Sequence, residues 1–172
     1  QINGPEQYYL ELLANQSPLE LSNLMKEFSI IKVEGYDSPE KLLEPHLNVV
    51  LSMIPADKRA QIGEIYAGIF PKNEISAQVS SVPDGGFLIL VNQGLIMSMY
   101  SWAQLIFDAA SFAGRDIPDV VEKLDRVNTS FQESYEKYLK TKKVSPVKYN
   151  ASNKTKMLAS SVTYVAIWYV LA

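Results

Sequence analysis

Apolar positions along this chain recur at helical spacing over most of its length, with strand-like runs confined to the middle. Ser17-Pro18-Leu19-Glu20 forms a capping box with proline at the first helical position. Leu21, Leu24, Met25 and Phe28 then mark one helix face. Ser38-Pro39-Glu40 repeats the start signal before Leu42 and Leu43, and Pro45 is expected to interrupt or bend that second helix. Between the two, Ser29-Ile30-Ile31-Lys32-Val33-Glu34 reads as a short strand. Pro55 opens a further helical stretch in which Ile62, Ile65, Tyr66 and Ile69 share a face until Pro71 ends it.

The middle carries the strongest local signal. Ile75–Val82 alternates loosely, Pro83-Asp84-Gly85-Gly86 supplies turn chemistry, and Phe87-Leu88-Ile89-Leu90-Val91 is continuously apolar. Proline presets the first turn position and glycine supplies positive φ, so a β-hairpin is expected. Its second strand should be buried on both faces. Leu95–Ala113 follows as a helix whose stripe of Ile96, Met99, Tyr100, Ala103, Phe107 and Ala110 is widened almost all round by Leu95, Trp102, Leu105, Ile106 and Ala109. Gly114 is placed to stop it. Asp116 is then expected to cap an amphipathic helix, Asp116–Leu139, with Ile117, Val120, Val121, Leu124, Val127, Phe131, Tyr135 and Tyr138 on one side. The short junction predicts that these two helices pack antiparallel. Ala151–Ala172 reads as a last helix, uncharged from Met157 onward. A membrane span needs about 17–25 apolar residues. This run is shorter and holds Ser160, Ser161 and Thr163, so a buried core helix is expected rather than a membrane segment.

These elements define an α+β fold, mainly α: one helical domain, residues 1–172, with a small β-hairpin sheet (about Ile75–Val91) packed on long helices. Composition agrees with a folded domain, at 47% hydrophobic and 20% charged residues among 172. The charge is unevenly spread. Residues 1–136 hold 9 Lys+Arg against 19 Asp+Glu, whereas residues 137–172 hold seven lysines and no acid. Lys137, Lys140, Lys142, Lys143, Lys148, Lys154 and Lys156 have neither arginines nor interleaved aromatics in a nucleic-acid motif. A solvated connection between helices is the favoured reading, and a basic-tailed nucleic-acid binder the third choice of function.

The absence of cysteine removes disulfides, thiol nucleophiles and thiolate metal sites from these residues. His46 is the sole histidine, so no site here can use two imidazoles. It follows Pro45 in a leucine-rich stretch and reads as a core-edge or surface residue. There is no G-x-S-x-G elbow, no G-x-G-x-x-G and no G-x-x-x-x-G-K-S/T. Asp116/Asp119 and Glu133/Glu136 share helix faces, as a carboxylate pair would, but on the polar side of an amphipathic helix. Asp108 stands out inside the apolar Leu95–Ala113 helix. Two readings are open for it: a buried functional acid, or a wet strip shared with Gln104 and Ser101, which is the one favoured. Asn15, Asn128, Asn150 and Asn153 occupy N-x-S/T sequons, for which coincidence is favoured. The chain begins at Gln1 without a basic and apolar leader, and with no cysteine a cytoplasmic setting is slightly favoured.

Two stretches carry a family likeness. Phe87–Tyr100 runs as a strand through V-N-x-G-L-[IL] into a helix, and Val165–Ala172 is an apolar helix ending V-L-A. Together they resemble the run-in of zincin-like metallopeptidases, where an apolar helix leads directly into H-E-x-x-H. The resemblance implies that the chain is the N-terminal scaffold of such a protein, cut just before its metal motif and inactive as it stands. Zinc is implied only where the parent continues into H-E-x-x-H, and a peptide or protein substrate would belong to that parent. The hairpin strands Ile75–Val82 and Phe87–Val91 would then lie beside the substrate cleft. No catalytic, cofactor-binding or metal-ligating residue is carried over to this chain. The alternative is a non-catalytic binding or interaction domain, with self-association through the apolar C-terminal helix as one mode of partnership.

Overall fold

A computed structural model of the chain describes residues 4–30, 39–83, 85–115, 118–145, 147 and 149–171, with side chains at 24, 27–30 and 39–42 left aside. The order is α1 (Gly4–Ala14), α2 (Pro18–Ile30), α3 (Pro39–Met53), α4 (Ala56–Ile62), β1 (Ile65–Phe70), β2 (Ala77–Ser81), β3 (Phe87–Asn92), α5 (Gln93–Phe112), α6 (Val120–Thr141) and α7 (Asn153–Leu171). The fold is α+β and mainly α, as the apolar spacing predicts.

The three strands form one mixed sheet in the order β1-β3-β2, with β1 parallel and β2 antiparallel to the central β3. Strand alternation divides the side chains between two cores. Ala67 and Ile69 of β1 and Val91 of β3 face one side and join Leu43, Leu47, Ile96, Tyr100, Ala159 and Ile167 from α3, α5 and α7. Phe70, Leu88 and Leu90 face the other side and join Tyr9 and Leu13 of α1. The sheet is therefore sandwiched between α1 and the α3/α5/α7 layer, which explains why Leu88–Val91 is apolar at every position. Phe87, at the strand's open end, remains 38% exposed.

Several sequence expectations change. Ile65–Phe70 is a strand, not a continuation of helix α4. Gly63, at φ 79°, ends the helix, and the β-branched and aromatic run beyond it pairs with β3 from Ile65↔Phe87 to Phe70↔Asn92. Helical and strand spacing both fit Ile62, Ile65, Tyr66 and Ile69, so only this pairing decides. Ser29 and Ile30 belong to α2 rather than to a strand; the remainder of that expected strand, residues 31–34, lies outside the described residues. Helix α3 runs through Pro45 without interruption. The amphipathic helix starts at Val120, after Pro118 and a left-handed Asp119. Asp116 and Ile117 are outside the described residues.

Helices α5 and α6 pack antiparallel. Trp102 of α5 meets Phe131 of α6 at a ring separation of 6.0 Å, while Phe112, at the far end of α5, lies under Lys123 near the start of α6. The connection before α7 is pinned, since Val144 N donates to Asn73 O at 2.7 Å. Helix α7 departs most from expectation. It is a core helix on one side only, through Thr155, Ala159, Thr163, Ile167 and Leu171. Its other side is exposed. No described helix is long and apolar enough to cross a membrane.

Candidate functional site

The V-N-x-G-L corner leads from β3 directly into α5, and each of its polar residues has a local task. Asn92 donates from Nδ2 to Ser76 Oγ at 2.6 Å and from its backbone to Ser76 O at 3.0 Å. Gln93 donates from Nε2 to Asn73 Oδ1 at 3.2 Å. Gly94 N donates to Lys72 O at 2.9 Å, and a Cβ at this position would stand 2.5 Å from the backbone at Asn73 and Glu74. Asn92 and Gln93 are both buried. The corner thus clamps residues 71–76 across the mouth of the sheet and leads the chain straight from β3 into α5.

That clamp sets the position of β2, whose outer side is unpaired among the described strands. Ser76 O accepts from Asn92 N and Val82 N donates to Gly86 O, so even-numbered positions bond toward β3. Antiparallel alternation then turns the backbone groups of Ala77, Val79 and Ser81 outward. The strand is largely solvent-exposed, with Val79 at 65%. An unpaired edge of this kind accepts an extended peptide as a further strand.

A second feature lies between α5, α6 and the lead-in to α7. Asp108 is buried, as are Gln104 and Ser101, which overturns the wet-strip reading. The strip is covered by α7 and the segment before it. Tyr149 donates to Asp108 Oδ2 at 2.6 Å, and the Thr155 hydroxyl donates to Oδ1. Ser152 Oγ accepts from Thr155 N at 3.1 Å and lies 2.8 Å from Thr155 Oγ1, capping α7. Gln104 and Ser160 both hydrogen-bond the hydroxyl of Tyr100, whose pKa is pushed up by burial in spite of them. Tyr149 is likewise pushed well above the usual phenol value, first by burial and then by its bond to Asp108 and that residue's negative charge, against a smaller opposing effect of Arg126. It is therefore a neutral donor throughout the physiological range. A cleft of about 940 Å³ opens beside this cluster, walled on the α6 side by Glu122, Lys123, Asp125 and Arg126. Glu122 and Arg126 pair with each other at the surface. Both Asp108 oxygens are already occupied by hydroxyls. The cluster is a latch that ties α7's start to α5, and Asp108 also lines the cleft beside it.

His46 is shut in the core, 4% exposed, with its ring 3.9 Å from that of Tyr164 and, among the described residues, no hydrogen-bond partner at Nε2. Burial holds its pKa below the usual imidazole value. Glu133 and Glu136 are exposed, with Glu136 3.9 Å from Lys140. Asn15, Asn128, Asn150 and Asn153 are all exposed, while the sequon hydroxyls of Ser152 and Thr155 are engaged in the latch. Among the described residues no three His, Cys, Asp or Glu side chains stand together as a metal would need, so the residues present do not fit a zinc centre. Comparison with protein-family models, curated proteins and solved structures finds no match to the chain.

Proposed function

We propose that the chain is the peptide-receiving scaffold of a zincin-like metallopeptidase-like protein, whose metal ligands would come from residues beyond Leu171. The observation that carries this reading is the setting of α7. Its uncharged C-terminal half runs into the sheet's own core, where Ile167 and Leu171 join Ala67, Ile69 and Val91. A metal-binding continuation of that helix would begin beneath the strands. The outward backbone of β2 supports the same reading, since an extended peptide paired there would lie along the sheet. The clamp at Asn92, Gln93 and Gly94 gives the likeness in that corner a physical purpose, because it fixes the strand edge.

The deciding experiment is to read the ten codons that follow Ala172 in the parent reading frame and measure zinc in the longer product. H-E-x-x-H with about one zinc per chain is the expected result. A different sequence, or a longer product that binds no zinc, overturns the reading.

A further inference from the structure

Helix α7 carries no charge from Met157 onward, yet only one side of it is covered. A helix of that composition is normally buried on every face. Here Met157 to Leu171 contains no charge, and Leu158, Val162, Val165 and Tyr169 are exposed by 40%, 45%, 53% and 70%. Their spacing of four, three and four residues draws a straight seam along the helix, the geometry by which one helix packs on another.

We infer that this seam pairs with the same seam of a second copy, the two α7 helices running antiparallel about a two-fold axis. Three observations favour a second copy as the occupant. The seam reads the same from either end, so an antiparallel pair sets Leu158 against Tyr169 and Val162 against Val165, twice over, as an isologous contact requires. Ser161 and Ala166 flank the seam on opposite sides, so about the axis each would lie beside its own counterpart, and these small residues let the backbones approach. Finally, the four seam residues leave roughly 400 Å² uncovered, so a pair would bury about 800 Å² in total, the size of a weak and reversible association. No lysine or acid within the seam opposes the approach, and Lys154 lies beyond its end.

The test is sedimentation equilibrium of the whole 172-residue chain across a hundred-fold range of concentration, with Val162→Glu and Val165→Glu beside it. The expected result is a reversible dimer whose dissociation constant rises about 100-fold in either variant, as loss of a central contact produces. Because the chain has no cysteine, the register is read directly. Mixed Val162→Cys and Val165→Cys chains should cross-link faster under mild oxidation than either variant alone. This comparison stands even where a glutamate variant fails to fold. A chain that stays monomeric at 100 µM overturns the proposal. So does a dimer indifferent to both variants, preferential cross-linking of like with like, or a monomer that instead partitions onto lipid vesicles.

Discussion

Tyr9 lies over Gly68, and its hydroxyl donates to Ile69 O at 2.9 Å. The α1 side chain thus covers the outer margin of β1 from above. Phe87 N donates to Glu64 O, so by alternation the Ile69 carbonyl turns away from β3 and would lack a strand partner. A Cβ at Gly68 would fall under 3.0 Å from three atoms of the Tyr9 ring. Gly68→Ala is expected to cost about 1–3 kcal/mol by overpacking. Tyr9→Phe should cost about 1 kcal/mol for the lost hydrogen bond. Because the clash exists only while Tyr9 is present, Tyr9→Ala should make Gly68→Ala nearly neutral. Urea denaturation of the four chains gives the coupling, and additive effects would contradict this contact.

Gly94 is constrained by a neighbouring backbone rather than by its own φ. Residues 73 and 74 cross at 2.5 Å from where its Cβ would be, and neither is a flexible side-chain tip. Gly94→Ala should therefore push the 71–76 segment away and lower stability by more than about 2 kcal/mol, at the severe end for a single methyl. Asn92→Ala removes a side-chain bond to Ser76 only and should cost about 1 kcal/mol. Amide exchange at Asn92 and Gly94, whose N–H groups bond the segment directly, should quicken in Gly94→Ala.

What could be read from residue order alone was the local part. The β2–β3 hairpin announces itself because Gly85 and Gly86 adopt φ of 95° and 91° within four residues of the strands they join. Helices α5 and α7 follow from long apolar runs. Strand β1 was hidden because Ile65, Tyr66 and Ile69 suit either period, and its partner lies more than twenty residues away. Asp108 was visible as an anomaly, but its burial depends on Tyr149 and Thr155, 41 and 47 residues further on. Neither residue carries a local mark of that role. Which side of α7 is left uncovered was not legible for the converse reason: a long uncharged run fits a buried core helix and self-association alike, without saying which residues either one covers.

Stability should fall on mild acidification because of His46. Its imidazole is buried without a partner at Nε2 among the described residues, and burial lowers its folded-state pKa below the unfolded value near 6.5. The unfolded chain then takes up the proton first. The neutral residue's full contribution is present above pH 6.5 and is lost as pH falls through 6.5 toward the folded pKa. The slope is at most about 1.4 kcal/mol per pH unit, one proton's worth. Urea midpoints between pH 7.5 and 5 should decline in the native chain and flatten in His46→Leu. Equal slopes in both would remove His46 as the cause.

The latch at Asp108 makes the sharpest quantitative claim. Its carboxylate accepts from Tyr149 and Thr155, which it ties to α5. Hydrogen bonds to a buried charge contribute about 1.5–3 kcal/mol each. Tyr149→Phe removes one and should cost about 2 kcal/mol. Asp108→Ala removes the acceptor of both bonds at once, so a loss of about 3–5 kcal/mol is expected. Asp108→Asn keeps the shape and one acceptor oxygen and should fall between. The three chains should differ also in where they loosen. Exchange protection at the start of α7, around Thr155 and Lys156, should drop in all three, while β1 and β3 keep theirs until global unfolding. If Asp108→Ala were as stable as the native chain, the carboxylate would not be structural.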